Sequence, residues 1–290
     1  MTRPVLTPGS SIDHKGLAEA LLAAVREAGA VEMRHYRAGV AVETKSDQSP
    51  VTLADQEAEV ILVAAIKRAA PGIPIIAEEA VAAGELPEVG SRFFLVDPLD
   101  GTREFINKRD EFTVNIALVE HGVPCFGIVF VPALGDFYVT LGANRSAHTR
   151  MGEGAHIGSL ATAGVNDIRV RTPNLAALTA VASRSHLTPE TEAYLAQFTV
   201  AARRDAGSSL KFCLIARGEA DIYARLGPTM AWDTAAGHAV LMAAGGLVTD
   251  LRGVPLTYAT RRDLTPKDRL RNPHFVAWGA AKPLLASGKP

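Results

Sequence analysis

The sequence predicts an α+β protein built from two halves of different style. Apolar residues recur at helical spacing through about the first 70 positions, and short strand-like runs joined by turn signals follow them. After residue 172, strand-like and helix-like segments alternate, which is typical of β/α units. We therefore expect an N-terminal α+β half over residues 1–172 and a C-terminal α/β half over residues 173–290.

The N-terminal half should begin with two helices. Helical spacing of leucine, alanine and valine predicts the first over residues 12–38. The second should begin after Thr52, because Asp55 completes an approximate capping box, and Pro71-Gly72 should end it. The turn at His121-Gly122 should join two strands as a hairpin. Strands are expected at residues 73–77, 93–96, 113–120, 123–131 and 138–141.

After residue 142, a segment without regular pattern is followed by alternating strands and helices. Residues 142–166 are rich in glycine, alanine and serine, and we interpret them as loop or frayed strand. Beyond them, strands are expected at residues 180–183, 220–223 and 247–249, and helices at residues 189–198, 209–217 and 234–244.

Composition excludes several classes of protein. The 290 residues are 48% hydrophobic and 21% charged, which is a globular composition. The formal net charge is -1, so a global basic field for a nucleic-acid polymer is excluded. The longest aliphatic run, residues 60–66, is far shorter than the roughly 20 residues of a membrane span. With no secretory leader and only Cys125 and Cys213 as thiols, we expect a cytoplasmic protein.

Carboxylates in three segments are the candidate chemical groups. Glu78 ends an apolar strand together with its acidic neighbour, Asp97 and Asp100 flank a tight turn, and Asp233 starts a helix. Each alone is explained by a strand end, a turn or a helix cap. Together they supply the oxygen ligands that Mg²⁺ prefers in phosphate chemistry.

The turn between the two aspartates adds groups for an anion. The carbonyl of Leu99 could face the same metal, and Gly101 permits a close approach of the backbone. The amides of Gly101 and Thr102 should point outward at the start of a short helix, where phosphate can bind. Metal-binding carboxylates beside such amides indicate metal-assisted phosphoester hydrolysis.

This set of motifs resembles the inositol monophosphatase superfamily of lithium-sensitive, Mg²⁺-dependent phosphatases. Within it, the chain is similar to the CysQ-type 3′(2′),5′-bisphosphate nucleotidases, from about Lys45 to Tyr258. The segments that carry the resemblance are KSDQSPVTLAD, DPLDGTREFINKRDEFTVNIALVEHG, SRSH, GSSLKFCLIARGEADIY and WDTAAGHAV. The resemblance implies a layered α-β-α-β-α sandwich with the metals where the two halves meet.

The resemblance also implies two or three Mg²⁺ ions per site. Glu78, Asp97 and the Leu99 carbonyl would hold the first ion, and Asp100 and Asp233 the second, with Asp97 bridging. Sequence chemistry and the resemblance thus select the same acidic positions.

Roles in catalysis follow from the same resemblance. Thr102, paired with Asp55, would orient the attacking water, and Glu78 would take part in catalysis as well as in metal binding. The residues expected to contact substrate are Glu78, Leu99, Asp100, Gly101, Thr102, Ser183, Arg184, Ser209, Lys211, Arg225 and Asp233.

The implied activity is hydrolysis of adenosine 3′,5′-bisphosphate to AMP and phosphate, which removes a by-product of sulfate activation. Alternatives are an inositol monophosphatase or fructose-1,6-bisphosphatase of the same superfamily, or a catalytically inactive nucleotide-binding module. We expect a small-molecule nucleotide as partner, a monomer or homodimer, and peripheral contact with the inner membrane as an open possibility.

Overall fold

The computed structural model describes residues 6–7, 9–39, 42–44, 50–152, 159–183, 188–258 and 268–280. The α-helices in these residues are α1 (His14–Ala38), α2 (Leu53–Ala69), α3 (Glu78–Ala82), α4 (Thr102–Ile106), α5 (Pro189–Leu195), α6 (Leu210–Ala216) and α7 (Ala231–Ala243), and a 3-10 turn spans Asp268–Leu270. The strands are β1 (Val42–Thr44), β2 (Pro50–Thr52), β3 (Ile75–Ala77), β4 (Arg92–Asp100), β5 (Thr113–Glu120), β6 (Val123–Val131), β7 (Asp136–Gly142), β8 (Arg145–Arg150), β9 (Asn166–Ile168), β10 (Leu178–Ser183), β11 (Val200–Ala206), β12 (Ile222–Arg225), β13 (Leu247–Asp250) and β14 (Phe275–Trp278).

Two larger sheets organise the molecule into five layers. The seven-stranded sheet has the order β3-β4-β5-β6-β7-β8-β9, and the five-stranded sheet has the order β11-β10-β12-β14-β13. Along β4, Phe94 packs in the cluster of Leu21 from α1, whereas Leu95 packs in the cluster of Val240 from α7. Tyr194 of α5 packs on the far face of the five-stranded sheet. The predicted α-β-α-β-α sandwich is confirmed.

In the N-terminal half, the capping box and the hairpin that local sequence motifs predicted are both present. The capping box of α2 is present, because the Asp55 carboxylate accepts a hydrogen bond from the Thr52 amide at 2.8 Å. The hairpin between β5 and β6 turns at His121 and Gly122, whose φ angles are +50° and +79°. Two successive left-handed residues match the twist of the flanking strands.

A glycine brings the central helix α7 against the seven-stranded sheet. A Cβ atom on Gly127 of β6 would lie 2.4 Å from the carbonyl oxygen of Ala236, so only glycine permits this approach. The spacing matters for the site, because α7 carries one of the candidate carboxylates at its start.

Six of the described strands were not predicted, namely β1, β2, β8, β9, β11 and β14. β8 lies in the segment interpreted as loop or frayed strand, and its polar residues pair with β7 and β9, while residues 153–158 lie outside the described part. β11 is an exposed edge strand with two arginines, and β14 is a short apolar run between two antiparallel neighbours. In the described part of the chain, no helix has the length and apolar character of a membrane span.

Candidate active site

A cleft of about 530 Å³ opens where several element ends meet. Thr102, Lys211 and Asp233 line it from the first turns of α4, α6 and α7, and Ser183 and Arg225 line it from the ends of β10 and β12. β10 and β12 run parallel, so their carboxyl ends reach the same edge of the sheet. Ligands of open α/β sheets bind at such edges.

A bulge in β4 places two aspartates on one face of the sheet. Asp97 pairs with Asn115 and Asp100 pairs with Thr113, so three steps on β4 oppose two steps on β5. Residues three apart in a regular strand face opposite sides, and one additional residue cancels that difference. The Asp97 carboxylate accepts a hydrogen bond from the Leu99 amide at 3.0 Å, inside the bulge. The sequence predicted a turn here; the strand instead continues to Asp100.

Asp55 and Asp233 are both the third residue of a helix. One oxygen of Asp233 accepts a hydrogen bond from the Met230 amide at 2.8 Å, and Asp233 also lines the cleft. Asp55 is 1% exposed and accepts hydrogen bonds from the amide and hydroxyl of Thr52. Both carboxylates therefore bond the backbone amide of the N-cap residue, which is Thr52 for α2 and Met230 for α7, so Asp233 is not itself the N-cap residue.

Glu78 owes its position to a residue that the sequence did not single out. Glu78 begins α3 and lines the cleft. The buried carboxylate of Glu59, on α2, accepts hydrogen bonds from the amides of Glu79 at 2.8 Å and Ala80 at 2.9 Å. Glu59 therefore anchors the first turn of α3 and fixes Glu78 at the cleft.

The carboxylates of the cleft are crowded enough to disfavour their own ionisation. Burial raises the pKa of Asp100 to about 6, with Glu104 and Glu78 adding to the rise and Lys211 and Ser208 opposing it. Burial, Asp100 and Glu78 raise the pKa of Asp233 well above its ordinary value. A divalent cation among these three carboxylates would relieve the repulsion that raises these pKa values.

The donor set fits a magnesium ion that shares its coordination with water and phosphate. Among the residues described, no three carboxylate, imidazole or thiol groups lie so that they could hold a metal ion by themselves. Mg²⁺ is usually held by one or two carboxylates, several waters and substrate oxygens. An open arrangement of oxygen donors around a cleft matches that preference.

Two buried cations also line the cleft. Lys211 is 5% exposed and Arg225 is 8% exposed. Burial lowers the pKa of Lys211 to about 8, although Asp100 raises it, and Arg225 lowers it further. The Arg225 guanidinium donates a hydrogen bond to the Pro228 carbonyl at 3.1 Å, which orients it. Buried cations of this kind suit a ligand with a second anionic group.

The turn between Asp100 and α4 contains the predicted phosphate amides. Gly101 has φ +90°, and a Cβ atom there would approach Ser208 within 3.3 Å. The Thr102 hydroxyl lines the cleft and donates a hydrogen bond to the Leu99 carbonyl at 3.4 Å. The pairing of Thr102 with Asp55 stays a prediction.

Of two further predicted residues, one lies away from the cleft surface and the other is outside the described part of the chain. Ser209 is 1% exposed, and its hydroxyl donates to Asn115 at 2.5 Å, so it lies behind the cleft lining. Its neighbour Ser208 lines the cleft instead and donates to Asp100. Arg184 lies outside the described residues.

Sequence reasoning missed Glu59 and the buried Glu32, and of the two serines it pointed to, it chose Ser209 and not Ser208 as the substrate contact. The paired serines of GSSLK were the signal for Ser208, and the sequence alone did not tell which of the two faces the site. Glu59 lies one helical turn after Asp55, a spacing that puts both on one face of α2. Burial and Asp55 raise the pKa of Glu32, on the facing helix α1, well above its ordinary value, and nothing in its amphipathic pattern marks this.

Comparison with known proteins agrees with this geometry. Residues 13–278 match the model of the inositol monophosphatase family. A protein of Shigella flexneri named 3′(2′),5′-bisphosphate nucleotidase CysQ is 43% identical over 81% of this chain and 87% of its own length. Its counterpart in Escherichia coli O157:H7 is 41% identical over 86% of this chain and 94% of its own. The crystal structure of CysQ from Bacteroides thetaiotaomicron, 34% identical, superposes with a TM-score of 0.73 and covers 91% of this chain and 97% of that one. The chain belongs to the inositol monophosphatase family.

Proposed function

We propose that the chain is a phosphatase that converts adenosine 3′,5′-bisphosphate to AMP and phosphate. The observation that carries the proposal is a cleft lined both by carboxylates and by the buried cations Lys211 and Arg225. A bisphosphate needs both kinds of group, because one phosphate reacts while the other only has to be held. The bisphosphate nucleotidases among its relatives support this choice of substrate.

Phosphatases of this family are generally metal-dependent, and we propose Mg²⁺, two or three ions per site, for this chain. The residues that would hold it are Glu78, Asp97, Asp100, Asp233 and the carbonyl of Leu99. When bound, the metal would act as a Lewis acid on the phosphoryl oxygens and lower the pKa of water.

The chain's own groups orient the phosphate and handle the proton. The amides of Gly101 and Thr102 bind the reacting phosphate, and the Thr102 hydroxyl orients the attacking water. Burial raises the pKa of Asp55 to about 7, so this carboxylate can accept a proton near neutral pH. The water oxygen bonds to phosphorus as the bond from phosphorus to the ribose oxygen breaks, and the ribose oxygen takes up a proton from solvent to give AMP and inorganic phosphate.

A substrate panel tests the proposal. Loss of one charge-assisted hydrogen bond to phosphate costs about 1.5–3 kcal/mol, or roughly 10- to 150-fold. We expect kcat/KM for adenosine 3′,5′-bisphosphate to exceed the values for 3′-AMP and inositol 1-phosphate by at least about tenfold. Arg225→Ala should reduce this preference while activity on the monophosphates hardly changes. Equal values for inositol 1-phosphate and the bisphosphate would contradict the nucleotidase activity, and binding without turnover would favour an inactive nucleotide-binding module.

A further inference from the structure

Ser208 has an unusual backbone conformation at the wall of the cleft. Its φ is +53°, in the left-handed region that serine rarely adopts. The preceding residue is Gly207, which could adopt a left-handed conformation without strain, yet it is the serine that adopts it. Strained positions persist where the surroundings enforce them, and they cluster at functional sites. The conformation places the Ser208 hydroxyl against the Asp100 carboxylate, with 2.6 Å between the two oxygens.

The Ser208 hydroxyl is part of a series of hydrogen-bonded side chains that begins on strand β5 of the seven-stranded sheet. The Asn115 amide donates to the Thr113 hydroxyl at 3.0 Å, and the Thr113 hydroxyl contacts the Ser208 hydroxyl. Ser209 donates to the Asn115 carbonyl oxygen at 2.5 Å, which fixes the orientation of that side-chain amide. Asn115 and Thr113 are 1% and 0% exposed, so bulk water does not compete for these bonds.

The number of hydroxyl protons determines which group donates in each hydrogen bond of this series of side chains. A serine hydroxyl has one proton, and Ser208 gives it to Asp100, so Thr113 must donate to Ser208. Thr113 has one hydroxyl proton for two neighbouring hydroxyls, and we assign it to the shorter contact, with Ser208, which leaves the 2.9 Å contact with Ser209 without a proton. Every donor from Asn115 onward therefore points toward Asp100.

We propose that Ser208 is a positioning residue for Asp100: the donor chain holds one carboxylate oxygen and leaves the other for the metal. The inference rests on the proposed function, because it concerns a proposed metal ligand. Capping of α6 does not explain the hydroxyl, since Ser209 is the N-cap residue and makes no side-chain cap bond. The left-handed backbone is the means by which the hydroxyl reaches Asp100.

Ser208→Gly separates positioning from folding, because glycine removes the hydroxyl and also the backbone strain. The thermal midpoint in EDTA should stay equal or rise. Calorimetric titration with Mg²⁺ in the absence of substrate should show affinity weakened by about tenfold, the effect of one lost hydrogen bond to a charged group. Thr113→Val, which breaks the chain one link earlier, should weaken Mg²⁺ binding less.

Two controls make the result decisive. Ser146→Ala removes a buried hydroxyl that donates to the Val240 carbonyl, so it should leave Mg²⁺ affinity unchanged. In an Asp100→Asn background, Ser208→Gly should have no further effect on Mg²⁺ affinity. Wild-type affinity in Ser208→Gly would overturn the positioning role and leave the proposed function intact. Unchanged affinity in Asp100→Asn alone would instead count against the metal assignment.

Discussion

Asp55 and Asp233 each use one carboxylate oxygen to hold the start of a helix. In each, an oxygen accepts the backbone amide three residues earlier, which stabilises the helix start. The same bond fixes the side-chain torsions, so the other oxygen needs no further ordering before it meets a ligand. Fixed geometry of this kind is what catalytic groups require.

Asp97→Asn tests the metal ligands at this scale. Asparagine keeps the oxygen that accepts the Leu99 amide, so the bulge should persist while the charge is lost. We expect kcat to fall by roughly 10²-fold or more, as for loss of a major electrostatic stabiliser, with the melting temperature nearly unchanged. Phosphate release and circular dichroism measure the two effects. EDTA should abolish wild-type activity and Mg²⁺ restore it; full activity in chelator would contradict the metal requirement.

Thr102→Ala tests the orientation of water. The variant lacks the hydroxyl but keeps the amide proposed to bind phosphate, so kcat should fall by roughly 10²-fold while KM changes less. Thr102→Ser retains the hydroxyl and should recover much of the rate. Steady-state kinetics on the bisphosphate would decide, and a wild-type kcat in Thr102→Ala would leave the threonine as a helix residue only.

At the scale of elements, the short helix α3 depends on its neighbour α2. Five residues are too few for a stable isolated helix, so its first turn needs an external acceptor. Glu59 supplies both carboxylate oxygens for this purpose. The position of Glu78 is thus a property of helix packing.

Glu59→Gln should loosen that anchor. Glutamine presents only one acceptor oxygen, so one of the two amides loses its partner, at a cost of about 1–3 kcal/mol in stability. The Mg²⁺ concentration for half-maximal activity should rise. Glu57→Gln is the matched control on the same helix, because the Glu57 side chain is 43% exposed and its ion pair with Arg34 contributes little. Equal effects of the two variants on melting and Mg²⁺ dependence would argue against the anchor.

Elements with local causes were predictable from sequence, and those with distant causes were not. The capping box at Thr52 and the hairpin at His121 depend on residues adjacent in the chain. β8 and β11 carry polar residues and form because neighbouring strands offer hydrogen bonds. The candidate carboxylates were found by their local motifs, whereas the contact of Ser208 with Thr113 joins residues 95 positions apart. No local pattern records such a pairing.

At the scale of the whole molecule, stability in acid depends on carboxylates paired across strands. Asp136 of β7 accepts hydrogen bonds from His148 and Arg150 of β8, both at 2.9 Å. Burial alone would raise the pKa of Asp136, but these two donors more than offset it and lower the pKa to about 2. The pairing joins the edge region of the seven-stranded sheet.

Asp136→Asn should therefore destabilise the protein at neutral pH and matter less in acid. A folded-state pKa below the ordinary value of 3.8 contributes stability above that value, and this contribution is lost as the pH falls toward 2. We expect a loss of about 2 kcal/mol in unfolding free energy at pH 7. Urea unfolding from pH 7 to pH 2 should show the two curves converging below about pH 4. A difference that is constant with pH would contradict this assignment.

The bulge in β4 makes the site sensitive to the number of residues between Asp97 and Asp100. Strands alternate with a period of two, so one inserted residue shifts the phase of every later position by half a period. Insertion of one more residue between Pro98 and Leu99 would shift the phase again, and Asp100 would point toward α1 and α2, into the cluster that contains Phe94. Both aspartates would still be present, and the site would be lost. The number of residues between them is as much a determinant of the chemistry as their charge.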